Sequence, residues 1–93
     1  MKVRARILVS GRVQGVFFRS ETKKEADNWK VEGWVRNRQD GRVEAVLEGE
    51  EEAVKKVIAF CRQGPPQARV KDVEVQWEDY RGEFRGFRIQ WMA

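Results

Sequence analysis

Apolar and polar positions alternate from the start of the chain. Val3, Ala5, Ile7 and Val9 are separated by Arg4, Arg6, Leu8 and Ser10, and a period of two predicts a strand with one buried face. After the segment GRVQGVFFR, Gly11 to Arg19, the period changes. Phe18, Thr22, Ala26 and Trp29 recur at helical spacing with Lys23, Lys24, Glu25 and Asp27 between them, which predicts a helix from about Ser20 to Lys30. Gly33 is expected to end it, as a residue free to adopt positive φ. Trp34 to Arg38 reads as a second strand. Gln39-Asp40-Gly41 is a turn, because Asp-Gly suits a hairpin. Val43, Ala45 and Leu47 mark a third strand, with Gly49 as its expected break. Glu50, Glu51 and Glu52 open a second helix, where carboxylates favour the positive end of the dipole.

Within that helix Glu51/Lys55 and Glu52/Lys56 have i,i+4 spacing, and Val54, Val57, Ile58 and Cys61 form an apolar stripe. Gly64-Pro65-Pro66 stops it, since proline cannot continue the ladder. Val73, Val75 and Trp77 mark a fourth strand, residues 78–85 a polar loop, and Phe87, Ile89 and Trp91 a fifth strand with a core-facing side. The order β-α-β-β-α-β plus a C-terminal strand predicts an α+β split β-α-β sandwich: a mostly antiparallel sheet with both helices on one face. Three of the four tryptophans, Trp29, Trp34, Trp77 and Trp91, fall on predicted core-facing periods, so packing is their expected role.

Composition narrows the chemistry. The 93 residues hold 37% charged and 41% hydrophobic residues with a net charge of +4, which suits a soluble globular domain spanning residues 1–93. The chain has no histidine and one cysteine. Imidazole chemistry, an intrachain disulfide and a cysteine metal cluster are therefore excluded. No stretch reads as a signal peptide or membrane span, so a cytoplasmic location is expected. Residues 1–42 carry eleven Lys/Arg against five Asp/Glu, while the remainder carry eight against ten. A basic first half suits an anionic ligand, and Arg4, Arg6, Arg12, Arg36 and Arg38 either steer one by field or are solvated.

The loop between the first strand and first helix is the candidate site. Helix-start N–H groups lack intrahelical partners. Glycines at 11 and 15 allow left-handed backbone, so consecutive N–H groups can curl into an anion-binding nest. Arg19 adds a fork of donors that matches phosphate. The bare G-x-x-x-G spacing is better explained as a plain turn with a solvated Arg19. It is not an ATP-type phosphate loop, lacking Gly-Lys-Ser/Thr, nor a dinucleotide fingerprint.

Taken together, GRVQGVFFR and GWVRNRQDGRVEAVLEG are more specific. With Gly64-Pro65-Pro66, Ala68-Arg69-Val70 and Gly86-Phe87-Arg88-Ile89, they closely resemble the acylphosphatase family, in order and over almost the whole chain. The resemblance implies a ferredoxin-like fold and metal-free hydrolysis of acyl phosphates to carboxylate and phosphate. It implies that Arg19 binds the phosphoryl group, that Asn37 orients the attacking water, and that backbone N–H groups of Gly15, Val16, Phe17 and Phe18 hold phosphoryl oxygens. No cofactor or metal is implied; the partners are a small acyl phosphate and product phosphate. Phe17 departs from the glycine or small residue of many relatives, which bears on pocket access. Arg38 is longer and more charged than its counterpart in some, which bears on support of Asn37.

These residues suffice chemically. The carboxylate leaving group needs no protonation at neutral pH, so the reaction asks mainly for charge stabilisation and alignment. Cys61 is expected in the core, and Gln67 stands where a phosphocysteine route would need an arginine six residues on. Other readings remain: a ferredoxin-like sensor of phosphate or acyl phosphate, and an RNA-binding module using Arg85-Gly86-Phe87-Arg88-Ile89-Gln90-Trp91. For the RNA module the aromatic motif falls on the last strand instead of the third. A domain of a larger carbamoyl-transfer protein is a further alternative. With Met1 opening the chain and no linker following Ala93, a free-standing monomeric enzyme is the expectation.

Overall fold

The computed structural model describes residues 1–91. Strand β1 (Lys2–Arg12) leads through a loop to helix α1 (Phe18–Asn28). Then come β2 (Glu32–Asn37), β3 (Val43–Glu50), α2 (Glu51–Gln63), β4 (Arg69–Glu78) and β5 (Phe87–Gln90). The sheet order is β4-β1-β3-β2-β5. β1 is antiparallel to β3 and β4, and β2 is antiparallel to β3 and parallel to β5. This is the expected ferredoxin-like βαββαβ arrangement, with an added strand at one edge.

The core forms where the alternating strand faces meet the helix stripes. Ala5, Ile7, Val9, Val35, Ala45 and Leu47 from the sheet pack with Phe18 and Ala26 of α1 and Val54, Val57 and Cys61 of α2. Each large apolar side chain buried here contributes about 1.5–3 kcal/mol. Cys61 lies in this stripe, and burial pushes its thiol up to about 12. No helix of the described residues is long and apolar enough to cross a membrane.

Several boundaries differ from the sequence reading. Helix α1 begins two residues earlier than expected, at Phe18. Its C-terminus closes without Gly33. Val31 N–H bonds Ala26 O at 2.8 Å and Lys30 N–H bonds Asp27 O at 3.2 Å, and Lys30 itself takes the left-handed conformation with φ 57°. That is a Schellman closure on a lysine. Gly33 lies inside β2, where a Cβ would collide with the Val46 carbonyl; close approach of the strands explains the glycine. Gly49 does not break β3, which runs on to Glu50 with Gly49 opposite Val3. In α2 the Glu51–Lys55 pair forms at 2.9 Å. Among the described residues Glu52 and Lys56 do not pair, and Lys56 Nζ lies 5.8 Å from the Trp29 ring centre.

The tryptophans also depart from expectation. Trp29, Trp77 and Trp91 are exposed, and Trp34 is half-buried beside Arg36, whose guanidinium carbon is 5.0 Å from the ring centre. Strand alternation assigns a face, but not whether anything covers it. Trp77 lies on an edge strand, Trp91 just past the end of β5 and Trp29 at the C-cap of α1, so each is left largely uncovered.

Residues 79–86 are more than a polar loop. β4 and β5 occupy opposite edges, so the connection must traverse the sheet, about 19 Å at ~4.8 Å per strand step. It runs along the row Glu78–Arg4–Glu48–Glu32, on the face away from the helices. Arg4 is only 3% exposed and Glu48 2%. Arg4 donates to Glu78 (2.9 Å), Glu48 (3.2 Å) and Glu83 (2.6 Å). The Arg81 N–H donates to Glu48 at 2.8 Å, and Phe84 lies over the Arg4 guanidinium, its ring centre 5.4 Å away. The segment is a strap that buries a charged cluster and satisfies it.

Candidate active site

The C-terminal ends of β1, β2 and β5 and the start of α1 converge on one cleft of about 460 Å³, lined by Val13, Gly15, Phe17, Phe18, Arg19, Ser20, Asn37, Ile89 and Trp91. Residues far apart in sequence meet here because β1 and β2 run parallel, with β3 between them, so that their C-terminal ends emerge together. β5, parallel to β2 with Val35 opposite Ile89 and Arg36 opposite Gln90, brings Trp91 to the same end.

The loop is anchored by its apolar residues and opened by its backbone. Val13 and Val16 are buried, while Gly15 and Phe17 are exposed. Gly15 has φ 73° and Phe17 φ 65°, with Val16 in ordinary backbone between them. Alternation of backbone hand points successive N–H groups into one concavity. Phe17 is also the N-cap of α1, and no side chain caps that helix end. Among the described residues no hydrogen bond engages the N–H groups of Gly15, Val16, Phe17, Phe18 or Arg19. A left-handed non-glycine residue costs about 1–2 kcal/mol, and a missing cap about 1 kcal/mol. Gly11, expected in the nest, instead lies in β1 at an irregularity between Ser10 and Gly11, opposite Val70. Its Cβ would strike the Arg69 carbonyl.

Arg19 sits in the first turn of α1 and is partly buried. Among the described residues it pairs with no carboxylate, and its guanidinium carbon lies 5.9 Å from the centre of the Trp91 ring. Asn37, the last residue of β2, contributes the second polar side chain named by the sequence. Its Oδ1 is buried and has no hydrogen-bond partner among the described residues, and leaving such an acceptor unsatisfied costs about 1–3 kcal/mol. The arrangement is a cup of backbone donors with one free guanidinium and one unsatisfied carboxamide. Chemically it can receive a tetrahedral oxyanion and hold a water beside it.

Gln14 is a site residue that sequence reasoning does not single out. Its Nε2 donates to the carbonyls of Arg38 (2.8 Å) and Arg42 (3.0 Å), tying the loop to the β2–β3 turn and so to Asn37. That turn is held by Arg38 N–H to Arg42 O at 2.8 Å and by Asp40, which accepts the Arg42 N–H at 3.1 Å. The Arg38 guanidinium is drawn away to Asp40 (3.2 Å) and Glu44 (3.5 Å), so it supports Asn37 through its backbone carbonyl. Ile89 and Trp91, expected in the core, line the cleft instead.

Of the five arginines named for steering, four are tied into ion pairs. Arg4 is under the strap. Arg6 donates to Glu44 and Glu78 at 2.8 and 3.2 Å, and Arg36 donates to Glu44 at 2.8 Å. Burial raises the Glu44 carboxyl, but hydrogen bonds from Arg36 and Arg6 outweigh it and hold the group below its ordinary value. Arg12 faces a different groove, with Pro66 and Arg69. These ion pairs cover the helix-free sheet face, where a base-stacking module would display aromatics.

Fold and cleft together define a small ferredoxin-like protein whose strand ends hold a cleft rimmed by main-chain N–H groups that have no acceptor among the described residues. The sequence model of the acylphosphatase family matches residues 5–89. Similar chains include the acylphosphatase of Pelotomaculum thermopropionicum, 56% identical over 95% of this chain and 96% of that one. That of Pyrobaculum calidifontis is 62% identical over 94% and 80%. The crystal structure of acylphosphatase from Bacillus subtilis superposes with a TM-score of 0.91 at 41% identity, covering 95% of this chain and 98% of that one. The chain belongs to the acylphosphatase family.

Proposed function

We propose that this protein hydrolyses acyl phosphates to a carboxylate and inorganic phosphate, by direct attack of water on phosphorus and without a metal. The observation that carries the reading is the shared cleft, where the loop 15–19, Arg19 and the Asn37 carboxamide meet, its N–H groups, guanidinium and Oδ1 without hydrogen-bond or ion-pair partners among the described residues. Family membership supports the reaction class.

In this mechanism the N–H groups of Gly15, Val16, Phe17 and Phe18 and the Arg19 guanidinium grip the phosphoryl oxygens. They stabilise the charge that spreads over those oxygens as the bond to the acyl oxygen loosens. The Asn37 Oδ1 accepts a hydrogen bond from water and aims its oxygen at phosphorus, opposite the leaving group. The new P–O bond forms as the P–O(acyl) bond breaks. The acyl oxygen leaves as carboxylate, and the water's proton passes to the phosphate product, because a neutral carboxamide is a poor base. We further read the protein as a cytoplasmic monomer.

The test is phosphate release from benzoyl phosphate with chelator present, wild type beside Arg19→Ala and Asn37→Ala. Turnover by the wild type and its collapse in both variants is the expected result. Phosphate binding without turnover would make the protein a sensor, and full activity in Asn37→Ala would remove the water-orienting role.

A further inference from the structure

The cleft is larger than the phosphoryl group requires. Five heavy atoms fill on the order of 150 Å³, at ~30 Å³ per water-sized atom, against about 460 Å³ available. The excess volume is walled by Phe17, Ile89 and Trp91, and their exposure is unusual. Phe17 is 69% exposed and Trp91 84%, although large aromatic side chains usually bury their area. Phe17 is held there by the left-handed backbone of the loop, and Trp91 by the parallel register of β5 beside β2. The two rings therefore flank the anion cup from different elements.

The cleft's charge says what the excess volume accepts. Among the described residues Arg19 is its only charged lining residue, and on the proposed reading the transferring phosphoryl group occupies it. Arg36 and Arg38 beside the cleft are bound to Glu44 and Asp40. An acyl group carrying its own phosphate or carboxylate would find no unpaired cation at these rings among the described residues, so its charge gains nothing there over an apolar group.

We infer that Phe17, Ile89 and Trp91 form an acyl-group subsite that selects flat apolar acyl phosphates, aromatic ones above all, over small or anionic ones. This rests on the reading of the cleft as the hydrolytic site. Ring-on-ring contact is worth roughly three- to tenfold in affinity for each aromatic wall. Trp91 also touches Arg19, so its removal affects both halves of the substrate, and the informative quantity is a ratio between ligands sharing the same phosphorus group.

The experiment measures calorimetric Kd values for benzylphosphonate, methylphosphonate and phosphonoacetate. Wild type is compared with Phe17→Ala, Trp91→Ala and Trp91→Phe, with phosphate release from benzoyl and acetyl phosphate measured alongside. The wild type is expected to bind benzylphosphonate about tenfold more tightly than methylphosphonate and phosphonoacetate no better than methylphosphonate. Each alanine variant should lose most of that ratio, and Trp91→Phe should keep most of it. Equal Kd values for benzyl- and methylphosphonate, or a ratio unmoved in both alanine variants, would overturn the subsite even if hydrolysis is intact. The benzyl preference without any phosphate release would uphold the subsite and overturn the hydrolytic reading.

Discussion

The cleft and the strapped row lie at opposite ends of one sheet and treat polar groups in opposite ways. In the row, Arg4 and Glu48 are buried, yet each has hydrogen-bond partners from the sheet and the strap. In the cleft, Arg19 has no carboxylate, Asn37 Oδ1 has no donor, and the first N–H groups of α1 have no acceptor among the described residues. Desolvating charge is tolerable only when partners replace water, and the strap supplies them. The cleft leaves the same requirement unmet and adds left-handed backbone at Phe17. On the proposed reading, a ligand arriving from outside meets that requirement. An arginine's position in this fold therefore matters less than whether its partners are already in place.

Substitutions at the two ends should separate along that line. The largest effect is expected at Arg19→Ala, with a loss of phosphate release of about 10³-fold or more. The thermal midpoint should hardly move, since Arg19 makes no ion pair among the described residues. A large drop in midpoint would mean that Arg19 is structural after all. Arg4→Ala should behave oppositely. It leaves Glu48 buried without its cation, at about 3–5 kcal/mol, and denaturant titration should register this while turnover per folded molecule persists. Asn37→Ala should lower turnover by about 10²–10³-fold and leave stability equal or slightly raised, because an unsatisfied buried acceptor is removed. Gln14→Leu should cost roughly tenfold in turnover. Gln14→Glu should do no better, because a carboxylate cannot donate to the carbonyls of Arg38 and Arg42.

The smallest effect concerns pH. Glu44 and Glu78 are held below the ordinary 4.5, Glu78 by hydrogen bonds from Arg4 and Arg6. Groups with lowered folded values contribute stability that is full above the unfolded value and is lost as pH falls through the folded one. The thermal midpoint should therefore be flat from pH 7 to about 5 and decline below about 4. A Glu44→Gln, Glu78→Gln double variant should show a shallower acid decline. An identical decline would place the acid-sensitive groups elsewhere.

Much of this is legible in the sequence for local reasons. The apolar positions of β1 and α2 repeat with the period of their element, and both faces are buried as read. Arg19 and Asn37 are legible because each lies in a long motif. Gln14 is hidden because its bonds go to backbone carbonyls, which any sequence can present. Gly33 reads as a helix end and is not one, because positive φ is shared by caps and by strands that pack too closely for a Cβ. The actual left-handed cap, Lys30, carries no sequence signal.

The sequence by itself determined the elements, their order, the helix-facing stripe and the two polar side chains of the cleft, since these follow from periodicity and residue chemistry along the chain. Only the tertiary structure decided which faces are covered. It turned the 79–86 loop into a strap, because β4 and β5 fall at opposite sheet edges. It released Trp91 and Ile89 from the core, because β5 ends beside Asn37 with none of the described residues packed above it. Burial depends on what arrives from elsewhere in the fold, and a residue's own neighbours in the chain do not record that.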